Sequence, residues 1–384
     1  MRPIPYGRQD ISEEDIQAVI EVLHSDWLTQ GPAVEKFEQD FAGYCGAPYA
    51  VAVNSATSAL HLACLALDLG PGDWLWTSPN TFVASANCAR YCGANVDFVD
   101  IDPRTYNLSV TALEEKLRLA EKAGTLPKIV VPVHFSGQPC EMRAIKHLAD
   151  RYNFRVIEDA SHAVGACYLG STVGNCRFSD VTVFSFHPVK ILTTGEGGMV
   201  LTRDAELYQR LKQLRSHGVV RDSATLKRAD QGAWYYEQHS LGYNFRITDI
   251  QCALGSSQLR RLQKMLARRR ELAKRYDYML TGLPLQTPWQ SVDSTSAWHL
   301  YVVKMAPGIN RRRIFDGMRS AGIGVNVHYI PVHTQPYYQS LGFKYGDFPE
   351  AEAYYAQAIS LPIYSGLTEE DQDYVISNLH KLLT

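Results

Sequence analysis

The sequence predicts an α/β fold in which a large, mainly parallel sheet is covered by helices on both faces. Between residues 49 and 202, short apolar runs rich in β-branched residues alternate with amphipathic helical segments, and this alternation is typical of parallel sheets. The chain has 384 residues, more than one compact core usually serves. We therefore predict two domains: a large α/β domain over residues 1–250 and a smaller α+β domain over residues 251–384.

In the predicted large domain, Ser12 is followed by three acidic residues and indicates the start of a helix. A second amphipathic helix ends at Gly46. The predicted strands that follow are 49–53, one beginning at Trp74, 96–99, 129–133, 155–157, 181–186 and 199–202, with helices predicted at 59–69, 82–91, 110–123, 142–152 and 205–214. Strand and helix therefore alternate through most of this domain.

Beyond residue 214 the pattern changes. Residues 221–238 are polar and irregular, which suggests a mobile loop. Residues 259–280 predict a long helix with one strongly basic face, which we interpret as a solvated or subunit-facing surface rather than a nucleic-acid site. Strands are predicted at 299–303 and 324–329, and helices at 311–321, 349–359 and 369–383.

Composition narrows the class of protein. An apolar fraction of 46% and a charged fraction of 20% are typical of globular proteins, and a net charge of −2 gives no reason to expect a nucleic-acid or membrane partner. We see neither a signal peptide nor an apolar run of membrane-spanning length. The eight cysteines are scattered without a C-x-x-C pair, so we expect free thiols in the cytoplasm and no metal site.

Polar segments follow several predicted strands, at the sheet edge where open α/β folds bind ligands. Residues 54–58 join a strand to a helix; their N–H groups and hydroxyls can bind a phosphate, or Ser55 or Thr57 can simply cap the helix. Asp159 follows a buried strand, where it can pair with a protonated ring nitrogen or cap a turn. Phe82 can cover a flat ring or belong to the core.

Ser185 and Lys190 complete this set, with a hydroxyl for a phosphate and an amine for a carbonyl. A lone lysine is usually an exposed structural residue. A phosphate site, an acid for a ring nitrogen, a ring cover and an amine together describe pyridoxal 5'-phosphate (PLP). The chain has no dinucleotide-binding, P-loop, zinc-protease or nucleophile-elbow motif. The pattern therefore predicts a PLP enzyme with Lys190 as its catalytic residue.

The chain also resembles the DegT/DnrJ/EryC1/StrS family of PLP-dependent nucleotide-sugar aminotransferases. The resemblance is carried by segments spread over nearly the whole chain: 28–31 (LTQG), 54–60 (NSATSAL), 158–162 (EDASH), 185–190 (SFHPVK), 193–198 (TTGEGG), 215–218 (RSHG), 242–251 (GYNFRITDIQ) and 327–329 (VHY). It implies the fold-type I architecture of aspartate aminotransferase, with a seven-stranded, mainly parallel sheet and a homodimer that shares its active sites.

The resemblance assigns roles residue by residue. It implies that Lys190 forms a Schiff base with PLP, that Asp159 pairs with the pyridine nitrogen and that His162 lies near the ring oxygen. It further implies that Phe82 stacks on the ring. The phosphate would be held by Ala56, Thr57 and Ser185, with Asn244 of the partner subunit. The sugar-nucleotide site would be lined by Tyr6, Trp27, Leu28, Thr29, Asn326, Val327, His328 and Tyr329, and the 221–238 segment could fold over it.

Within the family, the similarity is greatest to members of the pseudaminic-acid pathway. It implies amino transfer from L-glutamate to C4 of a UDP-linked 4-keto-6-deoxy-N-acetylhexosamine, with pyridoxamine 5'-phosphate (PMP) as the intermediate cofactor form. Other 4-keto or 3-keto nucleotide sugars are alternative substrates. Two further alternatives are a PLP-dependent sugar dehydratase, which would lack the lysine or add a cysteine cluster, and a non-catalytic relative.

Overall fold

A large sheet organises the N-terminal part of the protein, in a computed structural model that describes residues 3–222, 224–228 and 231–384. The strands in chain order are β1 (Tyr49–Val53), β2 (Trp74–Thr77), β3 (Asn95–Phe98), β4 (Ile129–Val131), β5 (Arg155–Asp159), β6 (Cys167–Tyr168), β7 (Ser171–Thr172), β8 (Val181–Ser185) and β9 (Gly198–Thr202). Seven of them form one sheet in the order β1-β9-β8-β5-β4-β2-β3. Only β9 in this sheet runs antiparallel to its neighbours, which confirms the mainly parallel prediction.

Helices cover both faces of this sheet. They are α1 (Glu13–Leu23), α2 (Pro32–Cys45), α3 (Ala56–Ala66), α4 (Ala84–Tyr91), α5 (Val110–Ala123), α6 (Met142–Tyr152) and α7 (Ala205–Arg215). Alternate residues along a strand point to opposite faces: Val183 packs in the core beneath α3, α4 and α7, whereas Phe184 packs in the core beneath α2. A third core lies between the sheet and α5 and α6. The alternation of buried side chains therefore fixes which face each helix covers.

The C-terminal part has a separate small sheet and its own core. Its elements, with the short ribbon that precedes them, are β10 (Val219–Val220), β11 (Glu237–Gln238), α8 (Asp249–Met279), β12 (Leu285–Gln286), β13 (Ser294–Thr295), β14 (Tyr301–Met305), α9 (Arg311–Ser320), α10 (Pro336–Gln339), α11 (Pro349–Gln357), β15 (Ala358–Leu361) and α12 (Glu369–Leu383). The domain boundary that we predict at residue 250 falls in the first turn of α8, which packs against α1 and α2 as well as α12.

Three predicted elements differ most from the structure, while the helix predicted at 59–69 lies three residues earlier, as α3. Residues 324–329 are not a strand, since only Asn326 forms a bridge, with Ser360, and the polar groups of this segment are used at the cavity described below. Residues 358–361 form β15 rather than the end of a helix. Helix α8 begins ten residues earlier than predicted, because Thr248 and Gln251 form a capping box at its start.

The described residues of the 221–238 segment are largely irregular, as predicted, and β10 pairs with β11 at its ends. Residues 223, 229 and 230 of this segment lie outside the described part of the chain, so a role over the site stays a prediction. Within the described ranges, no helix combines the length and the apolar character needed to cross a membrane.

Candidate active site

A cavity of about 830 Å³ opens at the carboxyl ends of β5 and β8, which is the size of a small-molecule site. Twelve predicted site residues line it: Tyr6, Ala56, Thr57, Phe82, Asp159, His162, Ser185, Lys190, Asn326, Val327, His328 and Tyr329. The fold thus brings together residues that are more than 300 positions apart in the sequence, and most of the predicted site residues line one cavity.

The start of α3 forms one end of the cavity. Ser55 caps the helix, since its hydroxyl accepts a hydrogen bond from the Ser58 N–H at 3.1 Å. The N–H groups of Ala56 and Thr57 have no carbonyl partner within the helix and, with the helix dipole, favour an anion. Ser185 pairs with Gly198 on β9, and a Cβ at Gly198 would lie 2.7 Å from the Ala56 nitrogen. Because Gly198 has no side chain, the start of α3 can lie close to the end of β8. The N–H groups of α3 and the Ser185 hydroxyl then form a site suited to a phosphate.

The Asp159 carboxylate is buried at the end of β5 and held in one orientation. Its Oδ2 accepts a hydrogen bond from the Ser85 hydroxyl at 2.6 Å, and Ser85 in turn is 2.7 Å from the Thr81 hydroxyl. Its Oδ1 accepts from the Ser161 N–H at 3.1 Å. A buried carboxylate fixed in this way can keep an adjacent ring nitrogen protonated.

Lys190 lies five residues after the end of β8, and its amine reaches the cavity. Burial lowers the pKa of this amine to about 8, while the negative charge of Asp159 opposes the shift. A lysine with a lowered pKa carries a substantial fraction of neutral amine near neutral pH. Lys190 therefore has a nucleophilic amine that can attack an aldehyde.

His162 and Tyr329 form a hydrogen-bonded pair beside the lysine. Nδ1 of His162 accepts from the Ser136 N–H at 3.3 Å, and Nε2 lies 3.0 Å from the Tyr329 hydroxyl. Because Nδ1 accepts, the ring proton is on Nε2, and Nε2–H donates to Tyr329. Burial, followed by the charge of Lys190, holds the pKa of His162 well below its usual range. His162 is therefore a neutral imidazole of defined tautomer.

Tyr6 and His328 come from opposite ends of the chain. The Tyr6 carbonyl accepts from the Ile363 N–H at 3.1 Å, which fixes the N-terminal segment against the C-terminal domain. The two rings lie 5.5 Å apart between centroids. Nδ1 of His328 is 2.7 Å from the Ser360 hydroxyl, and burial lowers its pKa to about 3. The peptide bond between His328 and Tyr329 is cis.

Phe82 stands at the mouth of the cavity with 59% of its surface exposed, 6.3 Å from the ring of Tyr329 between centroids. This position leaves one ring face available to a flat ligand. Stacking on a cofactor ring stays a prediction.

Four predicted site residues lie outside this cavity. Trp27 and Leu28 are exposed, and the Leu28 carbonyl accepts from the Asp249 N–H at 3.0 Å, at the start of α8. Thr29 bridges to Thr248 in the same region. Asn244 is exposed, and its backbone bridges to Ser216. Within one chain, none of the four lines the cavity, and their roles stay predictions.

The cavity also contains residues that the sequence analysis did not assign to the site. Thr81 and Ser85 lie one turn apart at the start of α4 and orient Asp159. His299 is buried beside His162, with 4.4 Å between ring centroids. Asn54 contributes a buried Oδ1 that has no hydrogen-bond partner among the described residues. The helical spacing of Thr81 and Ser85, both polar, is the one signal in the sequence that could have revealed this pair.

The donor set of the cavity fits PLP. The helix start and Ser185 suit a phosphate, Asp159 suits a pyridine nitrogen, and the Lys190 amine suits an aldehyde. Among the residues that the structure describes, no group of three or more His, Cys, Asp or Glu is arranged to hold a metal ion.

Comparisons with known proteins agree with this chemistry. The chain matches the DegT/DnrJ/EryC1/StrS aminotransferase family over residues 9–380. It is 42% identical over 386 residues to the spore coat polysaccharide biosynthesis protein SpsC of Bacillus subtilis, covering 99% of this chain and 97% of that protein.

Two solved structures have the same fold along nearly their whole length. The putative sugar aminotransferase Spr1654 from Streptococcus pneumoniae, in its PMP form, has a TM-score of 0.91 at 31% identity, with 99% of this chain and 98% of that one covered. Helicobacter pylori PseC, an aminotransferase involved in the biosynthesis of pseudaminic acid, has a TM-score of 0.91 at 31% identity, with 100% and 99% covered. The protein therefore belongs to the DegT/DnrJ/EryC1/StrS family of sugar aminotransferases, PLP-dependent enzymes of fold type I.

Proposed function

We propose that this protein transfers the amino group of L-glutamate to C4 of a UDP-linked 4-keto-6-deoxy-N-acetylhexosamine, in the biosynthesis of pseudaminic acid. The observation that carries the transaminase part is the convergence of the Lys190 amine, the Asp159 carboxylate and the start of α3 in one cavity. The likeness to PseC along the whole chain supports the choice of sugar. The corresponding activity is that of EC 2.6.1.92.

The residues divide the work of amino transfer. PLP, when bound, supplies an aldehyde for the amine and a ring that delocalises negative charge. Lys190 is the group placed to take the proton from the substrate carbon and to return it, as general base and then general acid. The buried carboxylate of Asp159 keeps the ring nitrogen protonated. The start of α3 and Ser185 hold the phosphate, which fixes the distance from Lys190 to the reacting carbon.

The sugar site is proposed on the side of the cavity lined by Tyr6, Asn326, Val327, His328 and Tyr329. His328 is neutral because its pKa is about 3, and burial raises the pKa of both tyrosines. Neutral donors and acceptors suit the hydroxyl, amide and carbonyl groups of a sugar better than charged groups would. This surface therefore supports a sugar substrate.

A homodimer that shares its active sites is part of the proposal. Helix α1 exposes an apolar face that includes Ile16, Ile20 and Leu23, and the exposed Trp27 and Leu28 continue this surface. A second copy of the chain that covers this face would remove it from water. The exposed positions of Asn244 and of residues 27–29, away from their own cavity, support sites completed by a partner subunit.

A cytoplasmic location is proposed on the state of the cysteines. All eight are free, and six of them are buried, as expected for a protein kept in a reducing compartment.

A second candidate is amination of a different keto nucleotide sugar. It is favoured by the 42% identity to SpsC, a protein of spore coat polysaccharide biosynthesis. The cavity chemistry is the same in both cases, so the two candidates differ only in the acceptor sugar and its nucleotide.

The test is to incubate the purified protein with PLP, L-glutamate and a panel of UDP-, dTDP- and GDP-linked 4-keto and 3-keto sugars, and to identify products by NMR. The proposal expects a 4-amino product from the UDP-linked N-acetyl sugar in preference to the others. If only another sugar is aminated, that sugar replaces the UDP-linked N-acetyl sugar as the proposed acceptor. No glutamate-dependent product from any sugar would contradict the proposed function.

A further inference from the structure

His299 is a buried histidine of the cavity with unused hydrogen-bonding capacity. It is 5% exposed and lines the cavity beside His162. His162 and His328 both use ring nitrogens in hydrogen bonds, whereas within the described ranges the His299 ring has no hydrogen-bond partner. Buried polar groups in native proteins are nearly always paired. The buried nitrogen without a partner among the described residues is Nδ1, so a ligand can pair only with the other ring nitrogen, Nε2.

The position of His299 is fixed by its backbone. The buried Arg269 donates from Nη1 to the carbonyls of Trp298 at 3.1 Å and of His299 itself at 3.3 Å. On the other side, Gly137 approaches so closely that a Cβ there would lie 2.9 Å from the Trp298 nitrogen and 3.1 Å from the His299 nitrogen. The backbone of His299 is therefore held by contacts with two residues, and its ring packs against His162.

The tautomer of the His299 ring follows from which of its two nitrogens is buried away from the cavity. Nδ1 is buried and has no partner, which leaves Nε2 as the ring nitrogen that faces the cavity. A buried N–H without an acceptor is rarer than an unused lone pair, so the ring proton belongs on Nε2. Burial, with the neighbouring His162 and Lys190, holds the pKa of His299 well below its usual range. The ring is neutral and presents an N–H donor to the cavity.

The charge behind His299 favours an anion in front of it. Arg269 is 2% exposed, and burial lowers its pKa only to about 10, so it is a cation at neutral pH. In the part of the chain that the structure describes, its hydrogen-bond partners are three carbonyls, and no carboxylate lies within ion-pair distance. A buried cation without a counter-ion raises the potential around it, and His299, whose carbonyl Arg269 binds, lines the cavity.

We propose that His299 binds a carboxylate of the amino donor, through Nε2–H and in the positive field of Arg269. This inference rests on the proposed function, in which L-glutamate is the donor. It adds a carboxylate subsite to the cavity, beside His162 and close to the residues proposed to face the sugar.

The experiment measures binding of glutarate, a dicarboxylate without an amino group, to the PLP-loaded protein by calorimetry. His299→Leu removes both ring nitrogens and is expected to weaken glutarate binding about tenfold or more, the usual effect of losing a hydrogen bond to a charged group. The KM for L-glutamate should rise by a similar factor. PLP attachment, followed by its absorbance, should not change. His147→Ala, on the exposed face of α6, is the matched control.

A pair of amide variants keeps the test decisive if His299→Leu does not fold. His299→Gln places an N–H donor near the position of Nε2 and should retain most glutarate affinity, whereas His299→Asn places it near Nδ1 and should lose it. Equal glutarate binding by wild type, Leu and Asn variants would overturn the subsite, and so would loss of PLP attachment in parallel with glutarate binding.

The outcomes for the subsite and for the proposed function are separable. If glutarate binding depends on His299 but the wild-type protein aminates no keto sugar, the subsite is supported and the proposed function is contradicted. If the protein aminates the sugar but His299→Leu binds glutarate as tightly as the wild type, the proposed function is supported and the subsite is contradicted.

Discussion

The cavity has two walls that differ in charge and in the way the chain builds them. The sheet wall consists of Ala56, Thr57, Asp159, Ser185 and Lys190, which lie at strand ends and at a helix start. The histidine wall consists of Tyr6, His162, His299, His328 and Tyr329, which come largely from chain ends and from segments without regular structure.

Electrostatics separates the two walls further. The sheet wall holds a buried carboxylate, an amine with a pKa of about 8 and the positive end of a helix. The three histidines of the other wall are neutral because burial lowers the pKa of each. Covalent and proton-transfer chemistry needs fixed charge, whereas selecting a polar ligand needs neutral donors and acceptors. We infer that the covalent chemistry belongs to the sheet wall and that the histidine wall, apart from His162 with its predicted place near the ring oxygen, serves recognition.

The largest effect is expected from removing the amine of the sheet wall. Lys190→Ala should lower amino transfer by at least about 10³-fold, because nothing else in the wall supplies a nucleophilic amine. Turnover is measured with L-glutamate and the preferred keto sugar, and folding is checked by thermal unfolding. Lys264→Ala, at an exposed position on α8, is the control. Glutamate-dependent amination by Lys190→Ala at the wild-type rate would show that the sheet wall does not supply the amine needed for amino transfer.

Asp159→Asn tests the charge of the same wall while keeping its shape. The amide can still accept the hydrogen bond from Ser85, but the negative charge next to the ring nitrogen is lost. We expect turnover to fall by about 10²–10³-fold. The pKa of the Lys190 amine should also fall below about 8, because Asp159 opposes its lowering. Unchanged kcat in this variant would show that hydrogen bonding, rather than charge, is what Asp159 contributes.

Gly198→Ala tests the close approach of α3 to the strand end. The new methyl group would lie 2.7 Å from the Ala56 nitrogen, so the helix start must move. We expect a loss of about 1–3 kcal/mol in the free energy of unfolding and weaker binding of PLP, measured by denaturation and by equilibrium dialysis.

The matched control for this variant is Gly43→Ala in α2, where no atom lies within 4 Å of the new Cβ. Replacing a helical glycine there should be neutral or stabilise the protein by about 0.5–1 kcal/mol. Equal stability and equal PLP affinity in the two variants would contradict the packing account.

The pH dependence of PLP attachment reports the state of Lys190 directly. The amine is neutral above its pKa of about 8, so the rate of attachment to the PLP-free protein should rise with pH and level off above 8. At pH 7 the rate should be about tenfold below the plateau, because only about a tenth of the amine is neutral one unit below the pKa. A midpoint near 10, measured by stopped-flow absorbance, would mean that burial does not shift this group.

The smallest effect is expected on the histidine wall. Tyr329→Phe removes the hydroxyl that accepts from His162 at 3.0 Å and leaves the ring in place. The loss of one neutral hydrogen bond is worth about 1 kcal/mol, or roughly fivefold, and it should appear in KM for the sugar with kcat nearly unchanged. A fall in kcat comparable to that of Asp159→Asn would mean that the two walls are not functionally distinct.

The sequence was most informative about the sheet wall. Strand-end positions, the polar segment 54–58 before a helix and the single lysine after a buried strand are local patterns, and the rule that ligands bind at the carboxyl ends of parallel strands brings them together. The mainly parallel sheet and its helices on both faces were predicted for the same reason, since alternation and apolar periodicity are encoded in short stretches. The residue pattern also predicted PLP, and the resemblance to the aminotransferase family then predicted the seven strands.

Only the tertiary structure added His299 to the histidine wall, whose other four members were already predicted from the family resemblance. His299 is one histidine in a predicted strand, and no local pattern shows that Arg269, thirty residues earlier, holds its carbonyl or that Gly137 packs against its backbone. Residues 324–329 have the composition of a strand, yet they leave the sheet to place His328 and Tyr329 in the cavity. Such contacts depend on how distant segments meet in space, which short-range pattern and propensity do not encode.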